Sequence, residues 1–139
     1  MVKNLIHKAG AIILSKENKQ NIVLLYRSRQ NDWSFPKGHT EQSENSMETM
    51  IREIQEETGL FVHIVQELPD HFYTNPREGT VLTKMFLVDS EDDSKLKHEF
   101  EGDDLQWIPI NQVIDKLSYD NLKEYFESIK PILEAVSRN

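Results

Sequence analysis

Apolar and polar positions along the chain form two kinds of pattern, which predict strands and helices in mixed order. Residues 5–14 and 22–26 are apolar runs that indicate strands, and the uninterrupted second run is typical of a strand covered on both faces. Small residues at 9–11 leave room for a neighbouring group to approach the first strand closely. A polar turn is predicted at 16–21, and a loop is predicted over 28–43.

The clearest helix follows this loop. Asn45 is a good N-cap residue, and Glu48 three positions later completes a capping-box pattern. Gly59 is placed to end the helix. Helical spacing predicts one packing stripe, which consists of Met47, Met50, Ile51, Ile54 and Thr58.

The second half of the chain repeats this mixture. Strands are predicted at 60–68, 71–74, 80–88 and 105–108. Residues 75–79 have turn chemistry, and residues 89–104 form an acidic loop. A last amphipathic helix runs from Leu122 to Val136, with a bend expected near Pro131. The pattern predicts an α/β fold, with a mixed sheet and a helix on each face.

Composition narrows the class of protein. The 139 residues contain no repeat or linker, so residues 1–139 are predicted to form a single domain. Hydrophobic residues make up 37% and charged residues 29%, which is typical of soluble globular proteins. No apolar run reaches the roughly 18 residues of a membrane span, and the N-terminus lacks a signal-peptide pattern. We therefore expect a cytoplasmic protein without a membrane partner.

Charge and cysteine content exclude several chemistries. The absence of cysteine excludes disulfides, thiolate zinc sites and cysteine nucleophiles. A net charge of −8 argues against sequence-independent binding of a nucleic-acid polymer, which needs a broad basic face. A small anionic ligand remains compatible with this charge if a metal neutralises the acids around it. The oligomeric state stays open.

Three glutamates of the predicted helix carry the strongest chemical signal. Glu53, Glu56 and Glu57 are three and four positions apart and share one helical face, away from the predicted apolar stripe. Like charges at this spacing repel each other, and a divalent cation would convert the repulsion into coordination. Oxygen ligands without histidine or cysteine favour Mg²⁺ or Mn²⁺ over zinc.

A lone Glu-x-x-Glu-Glu is more often a solvated helix face than a metal site, so its surroundings decide. The surrounding positions with defined spacing are Gly38, Glu44, Arg52, Glu53, Ile54, Glu56, Glu57, Gly59 and Leu60. This spacing resembles the signature of the Nudix hydrolases at every defined position. A mild departure is Thr49-Met50, where the family often has two alanines.

The resemblance implies an α/β/α sandwich that hydrolyses a nucleoside diphosphate linked to another moiety. It implies metal binding by Glu53, Glu56 and Glu57, with the Gly38 carbonyl as a further ligand and Mg²⁺ as the cofactor, Mn²⁺ being possible. Arg52 matches a residue that holds a glutamate in place. Glu44 matches the first glutamate of the motif, with an outer-shell or structural role.

The segment before the helix resembles the corresponding stretch of diadenosine polyphosphate hydrolases within the family, from Trp33 to His39. The predicted substrate-binding residues are Lys37, His39, Arg27 and Tyr73. Cations beside the motif suit phosphate oxygens, although a lone lysine or histidine in a loop is usually just exposed. Trp33 is expected to pack the loop, and Phe72 and Tyr73 are the better candidates for stacking on a base.

Two further glutamates compete for a role in metal or base chemistry. In many Nudix enzymes such a glutamate precedes a tryptophan by about six positions, and that spacing before Trp107 selects Glu101 over Glu99. The alternative is that both belong to a solvated acidic loop. The predicted catalytic residues are therefore Glu53, Glu56, Glu57, Arg52 and Glu101.

Several functions remain open from the sequence. The first hypothesis is a Mg²⁺-dependent pyrophosphohydrolase of small nucleotides, with dinucleoside polyphosphates such as diadenosine tetraphosphate as candidate substrates. Nucleoside triphosphates, nucleotide sugars, capped RNA ends and inositol pyrophosphates are alternatives. A nucleotide-binding module that lost catalysis is disfavoured, because all of the helix glutamates are present.

Overall fold

The computed structural model describes residues 5–137, which form eight strands and three α-helices. The strands are β1 (Leu5–Leu14), β2 (Asn21–Arg27), β3 (Asp32–Ser34), β4 (Lys37–His39), β5 (Val62–Glu67), β6 (His71–Asn75), β7 (Gly79–Ser90) and β8 (Asp104–Pro109). The helices are α1 (Ser46–Thr58), α2 (Val113–Lys116) and α3 (Asp120–Ser137). None of the helices described is both long and apolar enough to cross a membrane.

The strands form one mixed sheet, as predicted. Its main order is β3-β2-β1-β7-β5, with β4 paired to β1, β6 to β7 and β8 to β2. Strands β1 and β7 run parallel along ten residue pairs, whereas the other pairs are antiparallel. The parallel pair places β1 at the centre of the sheet, where its apolar run is covered on both sides.

Helices pack on opposite faces of this sheet, which confirms the predicted α/β/α layers. The α1 side of the core contains Ala9, Ala11, Ile13, Val23, Met50, Ile54, Phe86 and Val88. The α3 side contains Ile12, Leu14, Leu24, Phe35, Leu87, Phe126, Ile129 and Leu133. The side chains of β1 therefore pack alternately into the α1 side and the α3 side of the core, because successive residues of a strand point to opposite faces of the sheet.

The ends of α1 agree with the local signals in the sequence. The Asn45 side chain accepts a hydrogen bond from the Glu48 backbone N–H at 2.8 Å, and the Glu48 side chain accepts one from the Asn45 N–H at 3.0 Å. Gly59 ends the helix with φ of 77°, a left-handed conformation that favours glycine. Both caps are confirmed, so the start and the direction of α1 are fixed locally.

The predicted packing stripe of α1 is partly wrong. Met47 and Ile51 are 45% and 43% exposed, whereas Thr49 is fully buried together with Met50 and Ile54. At about 100° per residue, the inward face is rotated from the predicted stripe towards the glutamates, and Glu57 projects beside Met50. The cause is tertiary, because β4 packs against that side of the helix.

The predicted loop at 28–43 contains two short strands that periodicity missed. Strands β3 and β4 have three residues each, too few for a pattern to emerge. Strand β4 pairs with β1 at the small residues, where Gly10 lies opposite Lys37. A Cβ added to Gly10 would collide with the Lys37 side chain and the Pro36 carbonyl, so β4 is the group that approaches β1 closely.

Candidate active site

Three glutamates bind the Arg52 guanidinium, and Glu57 lies beside one of them, Glu53; we call this group the carboxylate cluster: Glu44, Glu53, Glu56 and Glu57, with Arg52. Arg52 donates to Glu44 at 2.6 and 2.9 Å, to Glu53 at 2.8 Å and to Glu56 at 3.3 Å. The hydrogen bonds from Arg52 lower the pKa of Glu44 to about 2. The structure thus places Arg52 where it holds several carboxylates, with Glu44 as its closest partner.

The Glu53 carboxyl group lies directly against Gly38. A Cβ added to Gly38 would overlap that carboxyl group, so only glycine allows this contact. Gly38 is held there by β4, where it pairs with Ala9 of β1. The backbone of Gly38 and the side chain of Glu53 are therefore brought together by the packing of β4 on α1.

Glu57 is the most buried acid of the carboxylate cluster. Burial, followed by repulsion from Glu53, raises the pKa of Glu57 to about 8. Its Oε1 accepts a hydrogen bond from the Lys37 backbone N–H at 2.8 Å. The ionised form of Glu57 is therefore disfavoured at this position.

The donor set fits a hard divalent cation. Glu53, Glu56, Glu57 and the Gly38 carbonyl offer only oxygen atoms, which Mg²⁺ prefers. Within residues 5–137, no three acidic or histidine side chains lie in metal-binding geometry, because the Glu53 and Glu56 carboxylates are hydrogen-bonded to Arg52. A cation at this position would offset the two largest causes that raise the pKa of Glu57, burial and the repulsion from Glu53.

A cavity of about 250 Å³ lies on the other side of Lys37, and we call it the cationic cavity. Its charged and aromatic lining residues are Lys8, Arg27, Lys37, His71, Tyr73, Glu78 and Tyr119. Burial, followed by the positive charges of Arg27 and Lys8, lowers the pKa of Lys37 to about 8. Among residues 5–137, the Lys37 ammonium group has no hydrogen-bond or ion-pair partner. Lys8 pairs with Glu78 at 3.4 Å and Arg27 with Asp32 at 2.7 Å, so Lys37 is the cation of this cavity that is open to an anionic ligand.

Three of the four predicted substrate-binding residues share this cavity: Arg27, Lys37 and Tyr73. His39 does not line the cavity. Its imidazole is 65% exposed and lies 3.5 Å from the Glu78 carboxylate, while its carbonyl accepts a hydrogen bond from Arg52. Lys37 and His39 are two positions apart in β4 and lie on the same face of the strand, so His39 lies beside the cavity, next to its lining residue Glu78.

The aromatic residues divide as the sequence suggests. Trp33 packs within the fold, with its ring 5.3 Å from that of Tyr26 and the Lys116 ammonium 4.4 Å from its centre. Tyr73 lines the cationic cavity, where its ring stacks on His71 at 5.0 Å. Phe72 points away and is 60% exposed. Tyr73 is thus the stacking candidate that the cavity contains.

A second cavity of about 470 Å³ adjoins Glu57, and we call it the acidic cavity. Its charged lining residues are Arg27, Arg29, Glu57, Glu99, Glu101 and Asp103. Burial, followed by repulsion from Glu56 and Glu53, raises the pKa of Glu99. In the structure, the charge of Glu99 therefore interacts with the carboxylate cluster. The spacing to Trp107 in the sequence selects Glu101 instead.

Several residues of the site were missed by sequence reasoning, among them Lys8, Asp32 and Tyr119. Asp32 is a buried carboxylate that binds Arg27, and Tyr119 donates to Asp32 across 87 positions of sequence. Asp32 follows a turn and faces Arg27 in the β2–β3 pairing, so a predicted hairpin at 27–32 is the signal that could have found it. Tyr119 carries no local signal.

Comparison with known proteins supports the same class. Residues 6–130 match the family model described as NUDIX domain, so the chain belongs to the Nudix hydrolase family. This is a family of pyrophosphohydrolase domains, and its members generally use divalent cations.

Two relatives illustrate the range of the family. An 8-oxo-(d)GTP phosphatase from Mycolicibacterium smegmatis is 28% identical over 127 residues, which cover 84% of this chain and 39% of the relative. An RNA pyrophosphohydrolase from Ruthia magnifica subsp. Calyptogena magnifica is 26% identical over 152 residues, covering 91% and 83%. The chain thus spans about two fifths of the first relative.

Solved structures share the fold. The binary complex of a C. elegans Ap4A hydrolase superimposes with a TM-score of 0.78 at 22% identity, covering 94% of this chain and 98% of that one. A MutT protein from Methanosarcina mazei Go1 gives a TM-score of 0.79 at 20% identity, covering 100% and 99%. At these identities the similarity concerns the fold.

Proposed function

We propose that this chain, as a single domain over residues 1–139, hydrolyses a pyrophosphate bond in nucleoside diphosphate compounds with Mg²⁺, and that dinucleoside polyphosphates are its preferred substrates. The observation that carries this proposal is the double role of Lys37. Its backbone N–H binds Glu57 of the carboxylate cluster, while its side chain lines the cationic cavity. Binding of phosphate and activation of water are thereby brought to adjacent positions.

The carboxylate cluster would hold the cation through Glu53, Glu56, Glu57 and the Gly38 carbonyl. A bound Mg²⁺ neutralises phosphoryl oxygens and lowers the pKa of water. Arg52 keeps the glutamates in place, as its hydrogen bonds to Glu44, Glu53 and Glu56 support.

The residues outside the cluster bind and orient the substrate. Arg27 and Lys37 would bind phosphate oxygens, and Tyr73 would stack on a base. His39 lies at the rim, where it would contact an extended substrate. A carboxylate of the acidic cavity would accept the proton of the attacking water: Glu101 is proposed from its spacing, and Glu99 from its interaction with the cluster.

The substrate preference follows from charge. Each additional phosphate brings negative charge that cations must neutralise in a protein of net −8. The cavity offers Lys37 without a carboxylate partner, together with Lys8 and Arg27, whose pairs with Glu78 and Asp32 leave further N–H donors for phosphate oxygens. The C. elegans neighbour is named for Ap4A hydrolysis, which agrees with this preference.

A kinetic comparison tests the substrate. We expect a higher kcat/KM for diadenosine tetraphosphate than for ADP-ribose, and a loss of roughly tenfold or more for the tetraphosphate in Lys37→Ala. Lys84→Ala is a matched control, because Lys84 is half-exposed, pairs with Asp70 and lies outside the cavity. Preference for ADP-ribose, or an unchanged tetraphosphate rate in Lys37→Ala, would refute this assignment.

Hydrolysis of nucleoside triphosphates is the second candidate. The relatives named 8-oxo-(d)GTP phosphatase and RNA pyrophosphohydrolase favour a triphosphate or a triphosphate end over a bridged dinucleotide. Product release from a panel that adds dGTP, 8-oxo-dGTP and 5′-triphosphate RNA, with and without Mg²⁺, separates these substrates. No turnover of any substrate at saturating Mg²⁺ or Mn²⁺ would instead support a binding module.

A further inference from the structure

Arg27 lies in the wall between the cationic cavity and the acidic cavity, and it lines both. The cationic cavity contains Tyr73, and the acidic cavity contains Glu57. A phosphate chain that reaches from one cavity to the other must therefore pass the Arg27 guanidinium. Its position decides whether such a chain finds donors along its whole length.

A buried carboxylate holds this guanidinium. Asp32 is 2% exposed and faces Arg27 in the register of β2 and β3. Arg27 donates from Nε to Asp32 Oδ1 at 2.8 Å and from Nη2 to Oδ2 at 2.7 Å, a bidentate pair with fixed orientation. Two of the five N–H donors of the guanidinium are used in this way, and the others remain for a ligand.

Tyr119 completes the arrangement from the start of α3. Its hydroxyl donates to Asp32 Oδ2 at 2.5 Å, and its side chain lines the cationic cavity. Burial alone would raise the pKa of Asp32, but the hydrogen bonds from Arg27 and Tyr119 outweigh it, and the pKa of Asp32 lies below its ordinary value. Asp32 is thus ionised at neutral pH and binds Arg27 as a carboxylate.

We propose that Asp32 and Tyr119 are positioning residues, which hold Arg27 between the two cavities so that it binds the inner phosphates of an extended polyphosphate substrate. The inference rests on the proposed function, because it concerns the phosphate chain of that substrate. Without these partners a long arginine side chain would have to be ordered when the ligand binds, at a cost in conformational entropy. The effect is therefore expected in binding, not in the chemical step.

The first measurement is independent of catalysis. Inorganic tripolyphosphate is titrated calorimetrically into the protein in EDTA, which removes metal binding at the carboxylate cluster. We expect Tyr119→Phe to weaken its binding by about threefold to tenfold, the effect of one charge-assisted hydrogen bond, and Asp32→Asn to weaken it further. Tyr26→Phe is the matched control, because it removes a tyrosine hydroxyl bonded to Asn31 at 2.6 Å, outside both cavities.

A double-mutant cycle separates positioning from general stability. Arg27→Lys keeps the charge but loses the bidentate pair, so Tyr119→Phe should have no further effect on tripolyphosphate binding in that background. Additive losses would overturn the proposal. Where Asp32→Asn fails to fold, Tyr119→Phe decides alone, since its ring is partly exposed.

Steady-state kinetics provide the second readout. In Tyr119→Phe we expect a higher KM for diadenosine tetraphosphate with kcat nearly unchanged, and a smaller rise for ADP-ribose. If Tyr119→Phe and Asp32→Asn bind tripolyphosphate as tightly as the wild type, the proposal is overturned. It is also overturned if the wild-type protein does not bind tripolyphosphate. Absence of turnover in a protein that binds it would instead count against the proposed function.

Discussion

The carboxylate cluster and the cationic cavity meet at Lys37, but acids predominate in the first and cations in the second. In the cluster, Arg52 binds Glu44, Glu53 and Glu56, so part of the negative charge is balanced within the protein. In the cavity, the Lys37 ammonium has no such partner among the described residues. Charge is partly balanced on both sides, since Lys8 pairs with Glu78 and Arg27 with Asp32, and Lys37 is the cation left open to an anion.

The contrast extends to the groups at the junction. Burial raises the pKa of Glu57 to about 8 and lowers the pKa of Lys37 to about 8, so the charged form of each group is costly. A cation on one side and a phosphate on the other would relieve both costs at once. An acidic protein can therefore bind an anionic substrate, because its opposite charges are sorted into neighbouring regions.

The largest expected effect comes from removing a charge in the carboxylate cluster. Glu57→Gln and Glu56→Gln keep the shape of the side chain, so the fold should survive while kcat falls by roughly two orders of magnitude or more. Turnover at saturating Mg²⁺ and circular dichroism measure the two effects. Glu127→Gln on the exposed face of α3 is the control. Activity within a few-fold of wild type would remove that residue from the metal site.

The next effect distinguishes the two acids of the acidic cavity. We expect Glu99→Gln to lower kcat more than Glu101→Gln, because the charge of Glu99 interacts with Glu53 and Glu56. Loss of a general base costs roughly 10²–10⁴ in kcat. Kinetic measurements on the two variants side by side distinguish these residues: a larger loss in Glu101→Gln would support the assignment made from the spacing to Trp107.

The smallest effect concerns stability without metal. The pKa of Glu57 is raised from 4.5 to about 8, so between these values the folded chain keeps a proton that the unfolded chain has lost. Stability contributed by this group is present below pH 4.5 and is lost as pH rises towards 8. We expect the melting temperature in EDTA to fall by several degrees from about pH 5 to pH 8.

Glu57→Gln should remove the part of the decline in melting temperature that comes from Glu57. The variant should therefore be more stable than the wild type in EDTA at pH 8. Lys37 does not mask the effect, because its pKa is lowered from 10.5 to about 8 and its own contribution rises with pH only above this window. Saturating Mg²⁺ should flatten the wild-type profile, since a cation favours the ionised carboxylate. An identical slope in EDTA for wild type and Glu57→Gln would contradict the burial of this charge.

Local signals predicted those parts of the site that are local in the chain. Asn45, Glu48 and Gly59 set the ends of α1 through contacts within a few residues, and these were read correctly from the sequence. Family resemblance then pointed to the glutamates between the caps. The prediction that the buried stripe would include Met47 was wrong, because the inward face is decided by where β4 packs.

Long-range pairing explains what could not be predicted. Tyr119 reaches Asp32 only because the start of α3 packs beside β3, and no spacing in the sequence encodes that contact. The preference for Glu101 over Glu99 relied on distance along the chain and stays a prediction, since both residues line the acidic cavity. In an irregular loop, such a distance does not determine which side chain faces the helix.

The long parallel pairing of β1 with β7 has a consequence for folding kinetics. The ten pairs join Leu5–Leu14 to residues 80–89, so this contact closes a loop of about seventy residues, which is slow to form. Both β4 and α1 pack on β1. During synthesis, the glutamates of α1 therefore leave the ribosome before the strand that completes the central sheet, and catalytic competence should be acquired late and all at once.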